Sequence, residues 1–315
     1  MLSVLYVVVP CYNEEEVLRE TDKRLNEKLQ SMVDNNLISA DSRILYVNDG
    51  SKDKTWELIN EFYEKSSFSS GINLSKNQGH QNALLAGMFE ANEHADIIIT
   101  MDADLQDDVD VLDEFVNKYN DGCDVVYGVR KSRKKDTFFK RSSAVLFYKL
   151  MRNLGVDMVY NHADYRLMSK RAVEALKEFE EVNLFLRGIV PLVGFKSGTV
   201  EYERGKRVAG ETKYPLKKMI QFAFEGITSF SIRPIRIITI SGIIIFIVSF
   251  ILIIYSIIGH LLGHTVTGWT TLVVALYFLG EFMIFSIGIV GEYIGKIYLE
   301  VKHRPRYIIE DKKIK

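Results

Sequence analysis

The chain predicts an α/β domain on a mostly parallel sheet, then an amphipathic helix and two apolar helices of membrane length. Three observations carry this expectation. Short β-branched runs alternate with helix-period segments through the first 230 residues. Several of those runs stop abruptly in polar or acidic residues, as strands do where their carboxyl ends line a ligand crevice. Residues 237–258 and 269–291 are continuous apolar stretches, each near the ~20 residues that cross a bilayer as a helix.

Val4 to Val9 reads as a first buried strand closed by Pro10. A helix follows from Cys11-Tyr12-Asn13-Glu14-Glu15, with Asn13 as its N-cap and acids in its first turn. Val17, Thr21, Leu25, Leu29 and Met32 recur at helical spacing and give that helix one face against a sheet. Ile44-Leu45-Tyr46-Val47 is a second strand running into Asn48-Asp49-Gly50-Ser51, and Thr55 to Lys65 is the next helix. Ile72-Asn73-Leu74 makes a short third strand and Gln81 to Asn92 a helix rich in Ala and Leu. Ile97-Ile98-Ile99-Thr100 is the central strand, ending in Met101-Asp102-Ala103-Asp104-Leu105-Gln106-Asp107-Asp108. Val125 to Arg130 is a further strand that enters the basic run Lys131 to Lys135, of which Lys134 and Lys135 read as solvated loop. Ser142 to Leu154 is expected to be a helix.

With 40 basic and 41 acidic residues among 315, the chain carries no global signal for nucleic acid. Cys11 and Cys123 are the only cysteines, too few for a disulfide framework, and are expected to be reduced cytosolic thiols. Met1 to Val9 is apolar but too short for a signal peptide and lacks a basic leader.

The polar ends of the first, second and fourth strands are expected on one sheet edge. Asp102 and Asp104, spaced i, i+2, can converge there on one hard cation, and Mg²⁺ favours one or two carboxylates plus substrate phosphates. The competing role for this pair is to cap the following helix. Asp49 can accept hydrogen bonds from a base imide or a ribose hydroxyl, or simply serve the Asp-Gly turn. Three such ends in register favour a nucleotide crevice over three separate turns.

Val-Pro-Cys-Tyr-Asn-Glu-Glu (residues 9–15), Val-Asn-Asp-Gly-Ser (47–51) and Met-Asp-Ala-Asp-Leu-Gln-Asp (101–107) resemble the inverting family-two glycosyltransferases of GT-A fold. Within these, the chain is similar to the polyprenyl-phosphate glycosyltransferases, the dolichyl-phosphate mannose synthase-like branch, over almost its whole length. The resemblance implies a UDP-sugar bound over the sheet by Pro10, Tyr12, Asn13, Glu14, Asp49, Asp102 and Ala103. It implies Mg²⁺ or Mn²⁺ on Asp102 and Asp104, with Gln106 joining the shell. Where the family often has Pro next, this chain has Asp107-Asp108-Val109.

Asn161-His162-Ala163-Asp164-Tyr165-Arg166-Leu167 resembles the family motif whose Asp sits beside the reacting sugar carbon, which makes Asp164 the catalytic candidate. A structural partnership of Asp164 with Arg166 is the alternative, and His162 is expected to bond locally rather than to bind metal. Arg130 and Arg141 match positions that reach the acceptor phosphate, where guanidinium suits bidentate contact. Arg204 to Tyr214 resembles the family's basic loop over the phosphates; Arg204, Arg207 and Lys213 would neutralise the leaving group and Gly210 would permit a hinge.

Domain boundaries are expected at 1–214 (catalytic), 215–232 (an interfacial amphipathic helix), 233–295 (two spans) and 296–315 (a cytoplasmic basic tail). Arg233 and Arg236 precede the first span, and Lys296, Lys302, Arg304 and Arg306 follow the second, whereas Gly259 to Gly268 has no Lys or Arg. The positive-inside rule puts both termini and the catalytic domain in the cytoplasm. Glu281 is an acid within the second span, and Gly280, Gly288, Gly291 and Gly295 offer a small-residue face for the first span or another subunit.

The expected reaction is inverting transfer of glucose or N-acetylglucosamine from a UDP-sugar to polyprenyl (undecaprenyl) phosphate at the cytoplasmic face. A homo-oligomer through the spans and a downstream flippase are the further expected partners. A processive polysaccharide synthase would carry Gln-x-x-Arg-Trp, but the tryptophans here, Trp56 and Trp269, follow Thr55 and Gly268. A non-enzymatic sugar-nucleotide sensor would be expected to have lost its acids and phosphate-facing arginines, yet these are present.

Overall fold

The computed structural model describes residues 2–131, 162–182, 186–205, 233–262 and 268–315. They fall into two compact units, one running to residue 205 and resuming at Arg304–Lys315, the other holding the two long helices up to His303.

The first unit is an eight-stranded sheet of order β7-β5-β6-β4-β1-β2-β3-β8. Its centre is parallel: β1 (Leu5–Cys11) lies between β2 (Arg43–Asn48) and β4 (Ile97–Thr100), and β2 pairs with β3 (Ser69–Leu74). These strands are buried on both faces, which their unbroken Val/Ile/Leu runs require. Helices α1 (Leu18–Asp34), α2 (Thr55–Lys65) and α3 (His80–Ala91) make the crossovers. Leu18, Thr21, Leu25, Leu29 and Met32 form the buried face of α1, the stripe that the helical spacing predicts. On α3, Gly87 lets the helix approach the sheet, since a Cβ there would lie 2.3 Å from a Val8 methyl.

Four details differ from the sequence expectation. Pro10 does not close β1 but lies inside it, opposite Val47. Val8 O accepts from Met101 N on the β4 side and Cys11 O from Asp49 N on the β2 side. Pro10 therefore turns its missing N–H toward β4, whose pairing has ended at Thr100, so no ladder bond is lost. Asn13 is not the cap of α1, which starts five residues later; it takes a left-handed φ of 54° in the preceding turn.

Third, the segment holding Asp164 is a strand, β6 (His162–Ser169), inserted antiparallel between β4 and β5 (Val125–Arg130). An antiparallel strand brings its beginning to the edge where the parallel strands end. Fourth, residues 296–315 are not simply a tail. The last helix continues to Val301, and β8 (Ile309–Lys313) then pairs antiparallel with β3. Lys312 Nζ lies 2.6 Å from the buried Glu90 carboxylate, and Asn73 Nδ2 donates to Glu310 at 3.0 Å. These contacts cover what would be an exposed sheet edge.

The remaining elements of this unit are α4 (Leu112–Asn120), α5 (Lys170–Lys177), the single turn α6 (Leu186–Ile189) and β7 (Ser197–Tyr202), parallel to β5. The expected helix Ser142–Leu154, the residues Arg141, Arg207, Gly210 and Lys213, and the expected interfacial helix lie outside the described residues.

In the second unit, α7 (Arg233–Leu261) and α8 (Trp269–Val301) are long helices that touch one another. Among the described residues, one stretch, Ala275–Val301, is long and apolar enough to cross a membrane, and Ile235–Val248 is a shorter apolar piece. Large apolar side chains stand exposed along both, Tyr255 at 73% and Ile284 at 73% among them. A Cβ at Gly280, Gly288, Gly291 or Gly295 would meet nothing within 4 Å, so among the described residues these glycines are not packing positions.

Candidate active site

The ends of β1, β2 and β4 meet at one edge of the sheet, and β6 enters there. Bonds between backbone and side chains stitch the edge together: Asn13 N donates to Ser51 Oγ at 3.0 Å and Asn13 Oδ1 accepts from Lys52 N at 2.9 Å. Glu14 N donates to Thr55 Oγ1 at 2.9 Å. Asn13 thus joins the loops after β1 and β2, while Tyr12 stands exposed beside it.

Asp49 is buried, and its two oxygens accept from Gln78 N at 2.7 Å and Gly79 N at 3.0 Å. Here Asp49 organises the loop after β3; each oxygen keeps a second lone pair with which it can accept from a nucleoside. The tight approach explains the adjacent glycine. Gly50 has φ +62°, and a Cβ would sit 2.4 Å from Asn77 N.

Asp102 and Asp104 follow β4 in an irregular loop where Leu105 takes a left-handed φ of 54°. Helix capping falls to Asp108, whose side chain accepts from Asp110 N at 3.0 Å, so Asp102 and Asp104 are not the cap. Asp104 Oδ1 accepts from Gln106 N at 3.1 Å, folding the loop back. Crowding by protein pushes the Asp102 carboxyl upward; His80 opposes this, and Asp164 and Asp104 add to it. Such a knot of negative charge is relieved by a cation, and carboxylate and amide oxygens are the donors that Mg²⁺ and Mn²⁺ take. Asp102 and Asp104 fit that role; Gln106 is less free, because its Oε1 accepts from Arg204 Nη2.

Asp107 is buried, accepts from the Tyr202 hydroxyl, and is pushed up to about 6 by burial and by nearby Asp102. Tyr202 also lies beside Arg130, whose Nε is 3.4 Å from its hydroxyl. Arg130 at the end of β5 and Arg204 just beyond β7 therefore reach the same edge as the acids.

Asp164 sits at the start of β6, where Thr100 Oγ1 donates to its carbonyl at 2.5 Å. Two guanidiniums hold its carboxylate: Arg166 Nη2 at 2.6 Å from Oδ1 and Arg187 Nη2 at 2.9 Å from Oδ2. Burial alone would raise this carboxyl, but Arg187 and Arg166 outweigh it and hold Asp164 far below the usual carboxylate range. It is an anion clamped in place and a feeble base. Arg166 is fully buried, whereas Arg187 keeps 31% of its side chain exposed to the crevice. His80 Nε2 stands between the two groups of acids, 3.6 Å from Asp102 Oδ1 and 3.8 Å from Asp164 Oδ2.

His80, Arg187 and Tyr202 were not legible as site residues. His80 looks like an ordinary helix start, and Arg187 is a single cation in an apolar run. The polar string Asn77-Gln78-Gly79-His80-Gln81 after a strand was the one available signal.

A mostly parallel sheet thus gathers acids, a carboxylate clamped by arginines and further arginines at one edge, an arrangement able to hold a phosphorylated ligand. The chain belongs to glycosyl transferase family 2, whose model matches residues 6–177, and it is a glycosyltransferase. It is 53% identical to the uncharacterized glycosyltransferase YkoT of Bacillus subtilis (strain 168), over 98% of this chain and 91% of that protein. It is 39% identical to the bactoprenol glucosyl transferase of Shigella phage SfV, over 98% and 99%. Against the prophage bactoprenol glucosyl transferase homolog of Escherichia coli (strain K12) it is 39% identical, over 96% and 97%.

Proposed function

We propose that the protein transfers a hexose from a UDP-sugar to a polyprenyl phosphate at the cytoplasmic membrane face, inverting the anomeric centre. The observation that carries this reading is the meeting of Asp102, His80, Asp164 and Arg187 within hydrogen-bond or near-contact distances at one sheet edge. The names of full-length relatives favour a polyprenyl acceptor, and among hexoses they favour glucose over N-acetylglucosamine.

Asp102 and Asp104, with Gln106 if it exchanges its bond to Arg204, would hold Mg²⁺ or Mn²⁺, which when bound neutralises diphosphate charge. The residues of this chain do the rest. Pro10, Tyr12, Asn13, Glu14, Asp49 and Ala103 would bind the nucleoside end of the donor. Arg130 and Arg204, with Arg141, Arg207 and Lys213 from outside the described residues, would bind the acceptor phosphate and the departing UDP.

An oxygen of the acceptor phosphate forms the new bond to the anomeric carbon from the face opposite UDP. The old carbon–oxygen bond breaks and its electron pair leaves with UDP. A phosphate monoester with a second pKa of about 6 is already largely ionised at neutral pH, so no strong base is required. That agrees with a carboxylate as acidic as Asp164, which orients Arg187 and favours positive charge at the sugar carbon rather than removing a proton.

The apolar, exposed α8 and the apolar stretch of α7 support a two-span anchor, and the flanking basic residues support cytoplasmic termini. The test is incubation of the purified protein with radiolabelled UDP-glucose or UDP-N-acetylglucosamine and undecaprenyl phosphate. Label should enter the organic phase from UDP-glucose. It should cease in excess EDTA and in Asp102→Asn or Asp104→Asn; full turnover in EDTA would remove the cation from the account.

A further inference from the structure

The segment Gln78–Gln81, where the loop after β3 enters α3, reaches Asp49, Asp102, Asp164 and Leu186. Gln78 and Gly79 hold Asp49 through their N–H groups, and His80 stands between Asp102 and Asp164. Gln81, the next residue, reaches the other way: its side-chain Oε1 accepts from Leu186 N at 2.7 Å. Leu186 is the first residue of α6, and its neighbour is Arg187, which clamps Asp164. The carbonyl of Leu186 accepts in turn from Arg166 Nη1 at 3.5 Å, and Arg166 holds the other oxygen of Asp164.

The bonds close a ring that runs from Leu186 and its neighbour Arg187 to Asp164, from Asp164 to Arg166, and from Arg166 back to Leu186, and Gln81 is tied to that ring at Leu186. Gln81 is the tether that joins this ring to α3, next to the loop holding Asp49. A four-residue helix supplies little rigidity of its own, so the placement of Arg187 depends on what pins Leu186.

We propose that Gln81 is a positioning residue for the transfer step. It fixes α6 so that Arg187 meets Asp164 in register with the donor-side loop, and it does so through an accepting oxygen. This rests on the glycosyl-transfer reading above. The expected signature is a loss in the chemical step without a loss in donor binding, because the side-chain hydrogen bond of Gln81 goes to Leu186 and not to the nucleoside-side residues or the cation-side acids.

The experiment uses the full-length protein in detergent or vesicles, with UDP-glucose and undecaprenyl phosphate. Gln81→Met keeps the length of the side chain and removes the acceptor. It should lower kcat about 10- to 100-fold, the range for an unsatisfied buried N–H and a displaced clamp. Its KM for donor and its UDP affinity by calorimetry should stay within about two-fold of wild type. Gln81→Glu keeps an accepting oxygen and should retain more kcat than Gln81→Met. Combining Gln81→Met with Arg187→Lys should cost little beyond Arg187→Lys alone, since both disturb one contact.

Unchanged kcat in Gln81→Met would overturn the proposal, as would equal losses in Met and Glu or fully multiplicative losses in the double variant. Absence of transfer by the wild type, with UDP binding intact, would instead sink the reaction reading on which the proposal stands.

Discussion

At the scale of single residues, the partly buried Asp164 and the buried Asp107 are carboxyls pushed in opposite directions. Asp164→Asn keeps the size of the side chain and removes the charge that Arg166 and Arg187 share. UDP affinity by calorimetry should survive in it while single-turnover transfer falls by about 10² or more. Near-normal transfer would make Asp164 purely structural. Asp107 titrates at about 6 rather than 3.8, so between those values the folded chain holds a proton that the unfolded chain has lost. Its contribution to stability is full below about 4 and is lost as pH rises through 6. Asp107→Asn can still accept from Tyr202. Without added cation it should match wild type near pH 4 and exceed it by about 2–3 kcal/mol at pH 7, read by denaturant unfolding. A constant difference across that range would refute the assignment. Asp102 and Asp104 stood out in the sequence because acids after an apolar run are conspicuous, and Asp164 through the resemblance of its motif to the family's. Gln81 and Arg187 did not, because their importance comes from one long-range bond each.

At the scale of elements, the alternation of apolar runs and helical stripes made the four central strands and the faces of their helices legible. Three things were not. β6 is antiparallel, and its motif reads as polar rather than as a strand because His162, Asp164 and Arg166 interrupt it. β8 is Ile-Glu-Asp-Lys-Lys, with the charge density of a tail; what makes it a strand is the open edge of β3, a tertiary cause absent from local propensity. Asn13 resembles a cap until Lys52 N is seen to claim its side-chain oxygen and the Ser51 hydroxyl its N–H. The strand β8 gives a prediction of its own. Lys312→Ala leaves the buried Glu90 carboxylate without its cation, at a cost of about 1–3 kcal/mol. Thermal unfolding of the full chain should register this as a lower midpoint; an unchanged midpoint would mean the tail strand adds nothing to the sheet.

At the scale of the whole molecule, a sheet unit and two apolar helices share one chain, and its last residues return to the sheet unit. If α7 and α8 both span the bilayer, Gly263 lies outside and Lys315 inside. In Gly263→Cys, expressed in intact cells, an impermeant thiol reagent should label the new cysteine; Cys11 and Cys123 are buried and serve as the background. A cysteine in place of Lys315 should react only after the cells are opened. The reverse pattern would put the crevice on the side away from cytosolic UDP-sugars. The central claim is a single displacement by a phosphate oxygen at the edge that holds Asp102 and Asp164. Its most direct test is the anomeric configuration of the sugar recovered in the organic phase from α-linked UDP-glucose and undecaprenyl phosphate, read from the proton coupling at the anomeric carbon. A β-linked glucosyl phosphate is predicted, and an α-linked product, or glucose released only into water, would contradict the account.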